Sequence, residues 1–447
     1  MRDIVLALIV IPGGLMALRY PFAGAMLWTW ISVMNPHRLA WGFMKSSPIG
    51  LYIAVCTLAG LFFTKEKRSP FVAPPVTWLV VLVVWMCLTT VFAFNTSGSL
   101  IQLEKVLKID LMVLVTLMLV RTKREMMLFA WVLAFSVAFY GIKGGLFTLL
   151  TGGSFRVWGP SGSYIEENNA LALALIITIP LLRFLQTTVE LKWQKNAMTA
   201  AMLMCGVSAI GSQSRGALLA MAAMSLLLWW RGKNKLQTAV IMAVAAVGIL
   251  AFMPQEWWDR MATIQTYEQD RSAMGRINAW WMAWNIAKHH FFGGGFSIYN
   301  SVVYGVYAPD PTFVVSAHSI YFTMIGEHGF VGLLIYIGLW WSTWNTAAWL
   351  RKNAATHPEA AWCEPLGSMT QVSLVGFAVG GAFLSLAYFD YTYNLMALAV
   401  AARYWVRTRG WETEPTPIYG GKLFGVPLFC GDRLTGGKMR ESAVQQT

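Results

Sequence analysis

The sequence predicts an all-α, polytopic integral membrane protein with about twelve transmembrane helices and one long, partly helical loop outside the bilayer. Three observations carry this. Of the 447 residues, 57% are hydrophobic and only 12% are charged, about half the charged fraction of a soluble chain. Apolar runs near twenty residues recur, the length that crosses the ~30 Å hydrocarbon layer as a helix. The runs do not show the alternating segments of about ten residues that a membrane barrel needs.

The first apolar segment, residues 4–34, is too long for one straight crossing, and each half is short for a full one. Gly13-Gly14 and Arg19-Tyr20-Pro21 interrupt it. Counted as one broken crossing, it gives twelve crossings with both termini inside. Counted as two, it puts the N-terminus outside. The count of twelve is the expectation. Met1-Arg2-Asp3 leads into the run without an A-x-A-like cleavage site, so the run reads as a retained helix. The later segments fall at 48–63, 76–94, 100–120, 126–147, 168–188, 197–211, 215–230, 236–253, 318–345, 369–388 and 391–407.

The connections orient them. Basic clusters occur at Lys65, Lys67 and Arg68, at Arg121, Lys123 and Arg124, and at Arg183, Lys192 and Lys195. They continue at Arg231, Lys233 and Lys235, at Arg351 and Lys352, and at Arg403, Arg407 and Arg409. They alternate with loops poor in Lys and Arg, so the basic set is expected to be cytoplasmic. The opposite set is 95–99, 148–167, 211–214, 254–317 and 389–390. The expected organisation is a transmembrane domain over 1–407, a loop at 254–317 inserted within it, and a cytoplasmic tail over 408–447 that is polar and rich in Gly and Pro.

Within the long loop, Glu256–Ile264 and Ser272–His289 look helical. In the second, Ile277, Trp280, Trp281 and Trp284 recur at spacings of three and four. A Trp-rich amphipathic helix of this kind lies at a headgroup boundary. Gly293-Gly294-Gly295 then reads as a flexible turn. The net charge of +13 is scattered over short loops rather than gathered on one face, which argues against nucleic acid. Cys56, Cys87, Cys205, Cys363 and Cys430 show no CxxC spacing and read as reduced residues.

Several residues are candidates for chemistry. His318 stands at the water-facing start of an apolar helix; it is either a general base for a hydroxyl or a helix-start histidine without chemistry. Glu327, nine residues on and inside the span, is either functional or the partner of another buried polar group. Arg215 opens a helix after a tight turn, Gly211-Ser212-Gln213-Ser214. The helix macrodipole disfavours a cation there unless an anion joins it. Its planar fork suits phosphate oxygens; a snorkelling arginine is the alternative. Arg276 is a further anion ligand, or the partner of acidic neighbours. The loop with Arg156, Trp158 and, after Glu166-Glu167, Asn168-Asn169 suits sugar or phosphate recognition as well as a plain connector. No zinc spacing, P-loop or GxSxG occurs, and the outer loops hold no Asp-x-Asp pair. No metal and no cofactor are therefore expected; arginine is a cation-free way to stabilise a diphosphate leaving group.

Taken in order, these motifs resemble the O-antigen ligase and polymerase superfamily. The resemblance rests on Arg215 in Ser-x-Ser-Arg-Gly-Ala, on Arg276 before the Trp-rich helix, and on His318-Ser319-Ile320-Tyr321 followed by Glu327, Gly329 and Gly332. Met1-Arg2-Asp3-Ile4-Val5, Lys143-Gly144-Gly145, Val157-Trp158-Gly159-Pro160 and Asn168-Asn169 are similar to its exosortase-associated branch of O-glycosylation ligases. The resemblance covers roughly residues 1–407. It implies a GT-C-like glycosyltransferase of the bacterial inner membrane with a periplasmic site. The donor would be undecaprenyl-diphosphate-linked glycan. The acceptor would be a lipid A–core sugar hydroxyl, or another hydroxyl such as that of a protein. Transfer would invert the anomeric carbon without a metal. His318 matches the family's base, and Arg215 and Arg276 its diphosphate ligands; Arg156, Asn169, Tyr321 and Glu327 would support substrate. The alternatives are a polymerase or protein-glycosylating relative and, from another class, a lipid-linked glycan flippase.

Overall fold

The structure, a computed structural model, describes residues 1–253 except 233, together with 255, 257–258, 271–414, 422–423 and 426–427. Among the described residues the regular elements are helices apart from one short antiparallel ladder, Lys422–Leu423 against Val426–Pro427. Most of the expected tail and of the Glu256–Ile264 helix, as well as Lys233 and Cys430, lie outside the described residues.

The long helices are α1 (Arg2–Arg19), α2 (Pro21–Met34), α3 (Ile49–Phe63), α4 (Pro74–Val91), α5 (Thr96–Leu119), α6 (Lys123–Leu150), α7 (Asn168–Thr188) and α8 (Lys192–Gly211). They continue with α9 (Arg215–Arg231), α10 (Lys235–Phe252), α11 (Arg271–His289), a short α12 (Ser301–Tyr307), α13 (Ile320–Asn353), α14 (Cys363–Gly381) and α15 (Asp390–Arg407). Four of them, α4, α6, α7 and α13, are long and apolar enough to cross a membrane on those criteria. Those four secure the polytopic reading. The other helices counted toward twelve crossings are shorter or more polar.

Residues 4–34 are two helices that double back. A Cβ on Gly13 would lie 2.7 Å from Leu27, and one on Gly24 would lie 2.6 Å from Ala17. Both pairs are centred near Tyr20, as expected for an antiparallel hairpin folded there. Pro21 opens α2 at its first position, where its missing N–H costs nothing. This corrects the expectation of one broken crossing.

The ends of the bundle are chemically distinct. Arg19 and Tyr20 line one cavity with Lys65, Arg121 and Arg124. At the same end Arg68 donates to the Leu117 carbonyl at 3.0 Å and stacks over Tyr404. Glu414 accepts from the Lys123 amide and the Trp405 indole, so the chain after α15 also lies here. The N-terminus lies at the other end: Arg2 donates to the Leu39 carbonyl, and Asp3 accepts from the Gly42 and Met44 amides, each at 3.1 Å. Met1 and the end of α15 therefore occupy opposite ends, where sequence reasoning put both termini on one side.

The core is built by close helix approach and by α7. A Cβ on Gly141 would come within 2.3 Å of Cys205 Sγ, and one on Gly145 within 2.5 Å of the Met204 carbonyl. Small residues on α6 thus let α8 pack backbone to backbone, the usual way helices associate where lipid removes the hydrophobic drive. Outward faces remain apolar: Val84 on α4 is 54% exposed and Leu226 on α9 58%. A lipid solvent accounts for that pattern better than water. The described cysteines are free; Cys56 and Cys205 are buried, as their placement in apolar runs predicts, and so is Cys363, which lies between two such runs.

Candidate functional site

His318 lies at the end opposite the basic clusters, in the last residues before α13. Both its neighbours are pinned. The Ala317 carbonyl accepts from the Trp280 indole at 2.7 Å, and Ser319 caps α13. Between these fixed points His318 takes a left-handed backbone, φ 44°, a conformation uncommon outside glycine. Such local strain persists only where the surroundings over-determine it, and it clusters at functional sites.

Its imidazole meets residues from two other segments. Nδ1 lies 3.5 Å from Glu167 Oε2 and 3.4 Å from Ser385 Oγ. Glu167 stands at the N-cap of α7 yet makes no side-chain capping bond, so its carboxylate serves the imidazole instead. Burial holds His318 below its ordinary value of 6.5; Glu167 opposes this and Arg276 reinforces it. The net result is a neutral imidazole at pH 7, the state that can accept a proton.

The connection between α14 and α15 is the hub. Ser385 faces His318, while Phe383 Cβ lies 3.2 Å from where a Cβ on Gly216 would stand, beside Arg215. Phe383 also packs against Trp280 of α11, the helix that carries Arg276. Three consecutive residues thus link the Arg215 turn, the Arg276 helix and His318. The half-buried Arg215 begins α9 behind Ser214, whose hydroxyl caps the helix. Arg156 joins from the 151–167 connection through its 3.3 Å bond to Gln213 Oε1. Gln213, with φ 57°, also donates to the Gly153 carbonyl.

The four supporting candidates separate. Arg156 belongs to this cluster. Asn169 is half-buried on the first turn of α7, and its neighbour Asn168 makes the structural bond, donating to the Ser212 carbonyl at 2.7 Å. Tyr321 donates to the Ala378 carbonyl at 2.9 Å, which ties α13 to α14. Glu327 is buried about two turns further along and accepts from Tyr388 at 2.5 Å. Tyr388 in turn meets His328 Nε2 at 2.8 Å, and His328 Nδ1 meets Thr89 at 2.7 Å.

That network surrounds a break in α13. Gly329 has φ 69° and ψ −176°, so carbonyls of the preceding turn lose their helical donors. The amides of Gly294 and Gly295 replace them, donating to Gly326 and Glu327, each at 2.9 Å. Gly293 and Gly295 need positive φ to follow this path, and residues 293–296 are buried. The glycine triplet is a fixed strap, not the flexible turn expected from its composition. Non-helical backbone at membrane depth is tolerated where protein buries it.

The Trp-rich helix forms as α11. Its Ala279, Met282, Ala283 and Ile286 face the protein, while Trp281 is 53% exposed. With Ile277, Trp280, Trp284 and Phe322 it borders an almost wholly apolar groove of about 380 Å³.

Among the described residues no group of three metal-binding side chains occurs. Sequence reasoning missed Glu167, Ser385, Phe383 and Gln213 as site residues. For Glu167 one signal was present, an acidic residue just ahead of a helix; the others carry no local mark.

Apolar helices, four of them long and apolar enough to span a bilayer, mark a multi-pass membrane protein. Residues 200–337 match the family described as O-antigen ligase, and residues 1–190 match a family of unknown function (DUF5935). The first match supports the O-antigen ligase superfamily and, with it, an activity of a glycosyltransferase-like ligase or polymerase type in general. No curated protein matches it.

Proposed function

We propose that the protein is an O-antigen ligase. It transfers a preformed glycan from undecaprenyl diphosphate to a lipid A–core sugar hydroxyl, on the periplasmic side of the inner membrane. The observation that carries this is the meeting of a neutral imidazole, a carboxylate and two arginine-bearing helix segments at the bundle end opposite the basic one.

Glu167 and Ser385 face His318 Nδ1, so Nδ1 keeps the proton and Nε2 acts as the base. Nε2 takes the proton of the acceptor hydroxyl as its oxygen attacks the anomeric carbon from the side opposite the diphosphate. The new C–O bond forms while the bond to the diphosphate oxygen breaks. The electron pair leaves on the diphosphate, whose developing charge Arg215 and Arg276 stabilise. The α9 N-terminus adds positive potential to Arg215. No metal is needed in this scheme. Arg156 lies where sugar or phosphate would extend toward the 151–167 connection. The apolar groove beside Trp280 suits the lipid part of either substrate. Residues 254–317 act as the periplasmic loop of a transmembrane domain over 1–407, with the chain after 407 in the cytoplasm.

The test is direct. Purified protein incubated with lipid-linked glycan and lipid A–core should yield a joined product. In cells lacking the gene, full-length glycan should accumulate on its polyprenyl carrier beside unmodified acceptor. Acceptors bearing single repeat units would point to a polymerase. Donor trapped on the cytoplasmic face would point to a flippase. Unglycosylated protein with normal lipopolysaccharide would point to a protein O-glycosylation ligase.

A further inference from the structure

At the basic end, far from His318, the α1–α2 turn, the residues after α3 and the α5–α6 connection enclose a cavity of about 640 Å³. Sites for small ligands and cofactors fall in this range. Four cations line it: Arg19, Lys65, Arg121 and Arg124. Two carboxylates also line it, and both already serve other groups. Glu125 accepts from the Arg121 and Thr122 amides at 2.8 and 2.9 Å and so closes the start of α6. Glu66 holds Arg121 Nη2 at 2.8 Å. Arg121 Nε, on the same guanidinium, is buried and has no hydrogen-bond acceptor. A buried donor in that state favours an incoming acceptor.

The rest of the wall is apolar, with Met16, Phe22, Leu119 and Leu128. Basic mouth and apolar wall together select an amphiphile, a ligand with an anionic head and a hydrocarbon tail. The cavity lies where helices end, and the ends of membrane-crossing helices stand near lipid headgroups. Basic pockets between membrane helices hold anionic headgroups in this way. We infer that this cavity binds an anionic glycerophospholipid from the leaflet at the basic end, its phosphate on Arg19 and Arg121 and an acyl chain along Leu119 and Leu128. The site is independent of the transfer reaction and stands whether or not the ligase reading holds.

The experiment uses the full-length protein in nanodiscs of phosphatidylcholine with a minor share of phosphatidylglycerol, and native mass spectrometry of the lipid it retains. Wild type should retain phosphatidylglycerol well above its share. Each surface cation is worth about a factor of five in attraction to an anionic headgroup, so the Arg19→Gln/Arg121→Gln pair should bind roughly thirtyfold more weakly. Leu128→Trp keeps every charge but fills the cavity, and should lose the lipid as well. Arg19→Gln alone, at an exposed position, gives the same reading if the double variant does not purify. No enrichment in wild type, or undiminished retention in the variants, overturns the inference. So does inorganic phosphate that stabilises the protein against heat as well as phosphatidylglycerol does, because the site would then be one for a free anion.

Discussion

At the residue scale the proposed reaction turns on one imidazole, that of His318. General-base removal costs 10²–10⁴-fold in rate as a rule, so His318→Ala should abolish glycan transfer while the protein still inserts and purifies. In the proposed reaction Glu167 acts through His318, and pH separates that role from a merely structural one. Burial and Arg276 lower the His318 pKa, and Glu167 raises it. Activity should therefore hold through neutral pH and fall only below the ordinary histidine range, as the base becomes protonated. Glu167→Gln removes the raising influence, so the acid limb of kcat/KM should move to lower pH while the plateau drops. An acid limb that stays in place would make Glu167 a bystander. Arginine geometry is testable in the same assay. Arg215→Lys keeps charge but loses the planar fork, and should be nearly as damaging as Arg215→Ala. Chelators should leave wild-type activity intact; activity lost in EDTA and restored by Mg²⁺ or Mn²⁺ would reveal a metal site. His318, Arg215 and Arg276 stand out in the sequence as candidates because an imidazole or guanidinium at a membrane boundary differs from its surroundings. Ser385 and Phe383 were not. Their place follows from the meeting of the α14–α15 connection with segments up to about 170 residues away in sequence, and no local pattern records that.

At the element scale α13 explains why Glu327, Gly329 and Gly332 belong together. Gly329 breaks the helix, and the strap from Gly293 to Gly295 restores the lost hydrogen bonds. Gly332 leaves room for Trp85, which lies 3.2 Å from where a Cβ would stand and whose indole donates to the His328 carbonyl. The motif is the mechanical joint of the helix that begins at His318. Glu327→Gln should then preserve most activity and thermal stability, because the amide oxygen still accepts from Tyr388. Glu327→Ala removes that acceptor from a buried hydroxyl, a change of about 1–3 kcal/mol, and should lower the melting temperature of the purified protein. Equal loss of transfer in both variants, at unchanged stability, would place Glu327 at the substrate instead. Sequence reasoning weighed the carboxylate as functional or structural and could not choose between them. It read the glycine triplet as flexible because composition records where a chain can bend, whereas the partner that fixes it lies on another element.

At the scale of the whole molecule, orientation decides whether the site assignment holds. Alternating basic loops were legible, since charge placement is a property of sequence. The fold at Tyr20 was not. Two apolar stretches of 18 and 14 residues read the same whether they continue or double back. Only the pairing of Gly13 with Leu27 and of Gly24 with Ala17 separates the two arrangements. The hairpin places Met1 and residues 35–48 at the end that holds His318, and Tyr20 at the basic end with Lys65 and Arg121. Single cysteines in a cysteine-free background test this. In cells with a permeable outer membrane, cysteines at Ser47, Asn95 and Ser297 should react with an impermeant thiol reagent. Cysteines at Tyr20 and Asn234 should stay unlabelled until the inner membrane is opened. Labelling at Asn234 but not at Ser297 would reverse the whole molecule and carry His318 to the cytoplasmic side, away from a periplasmic donor. Labelling at Ser297 without Ser47 would leave the site in place. It would also restore a single broken crossing for residues 4–34, and the antiparallel packing of the first two helices would then be wrong.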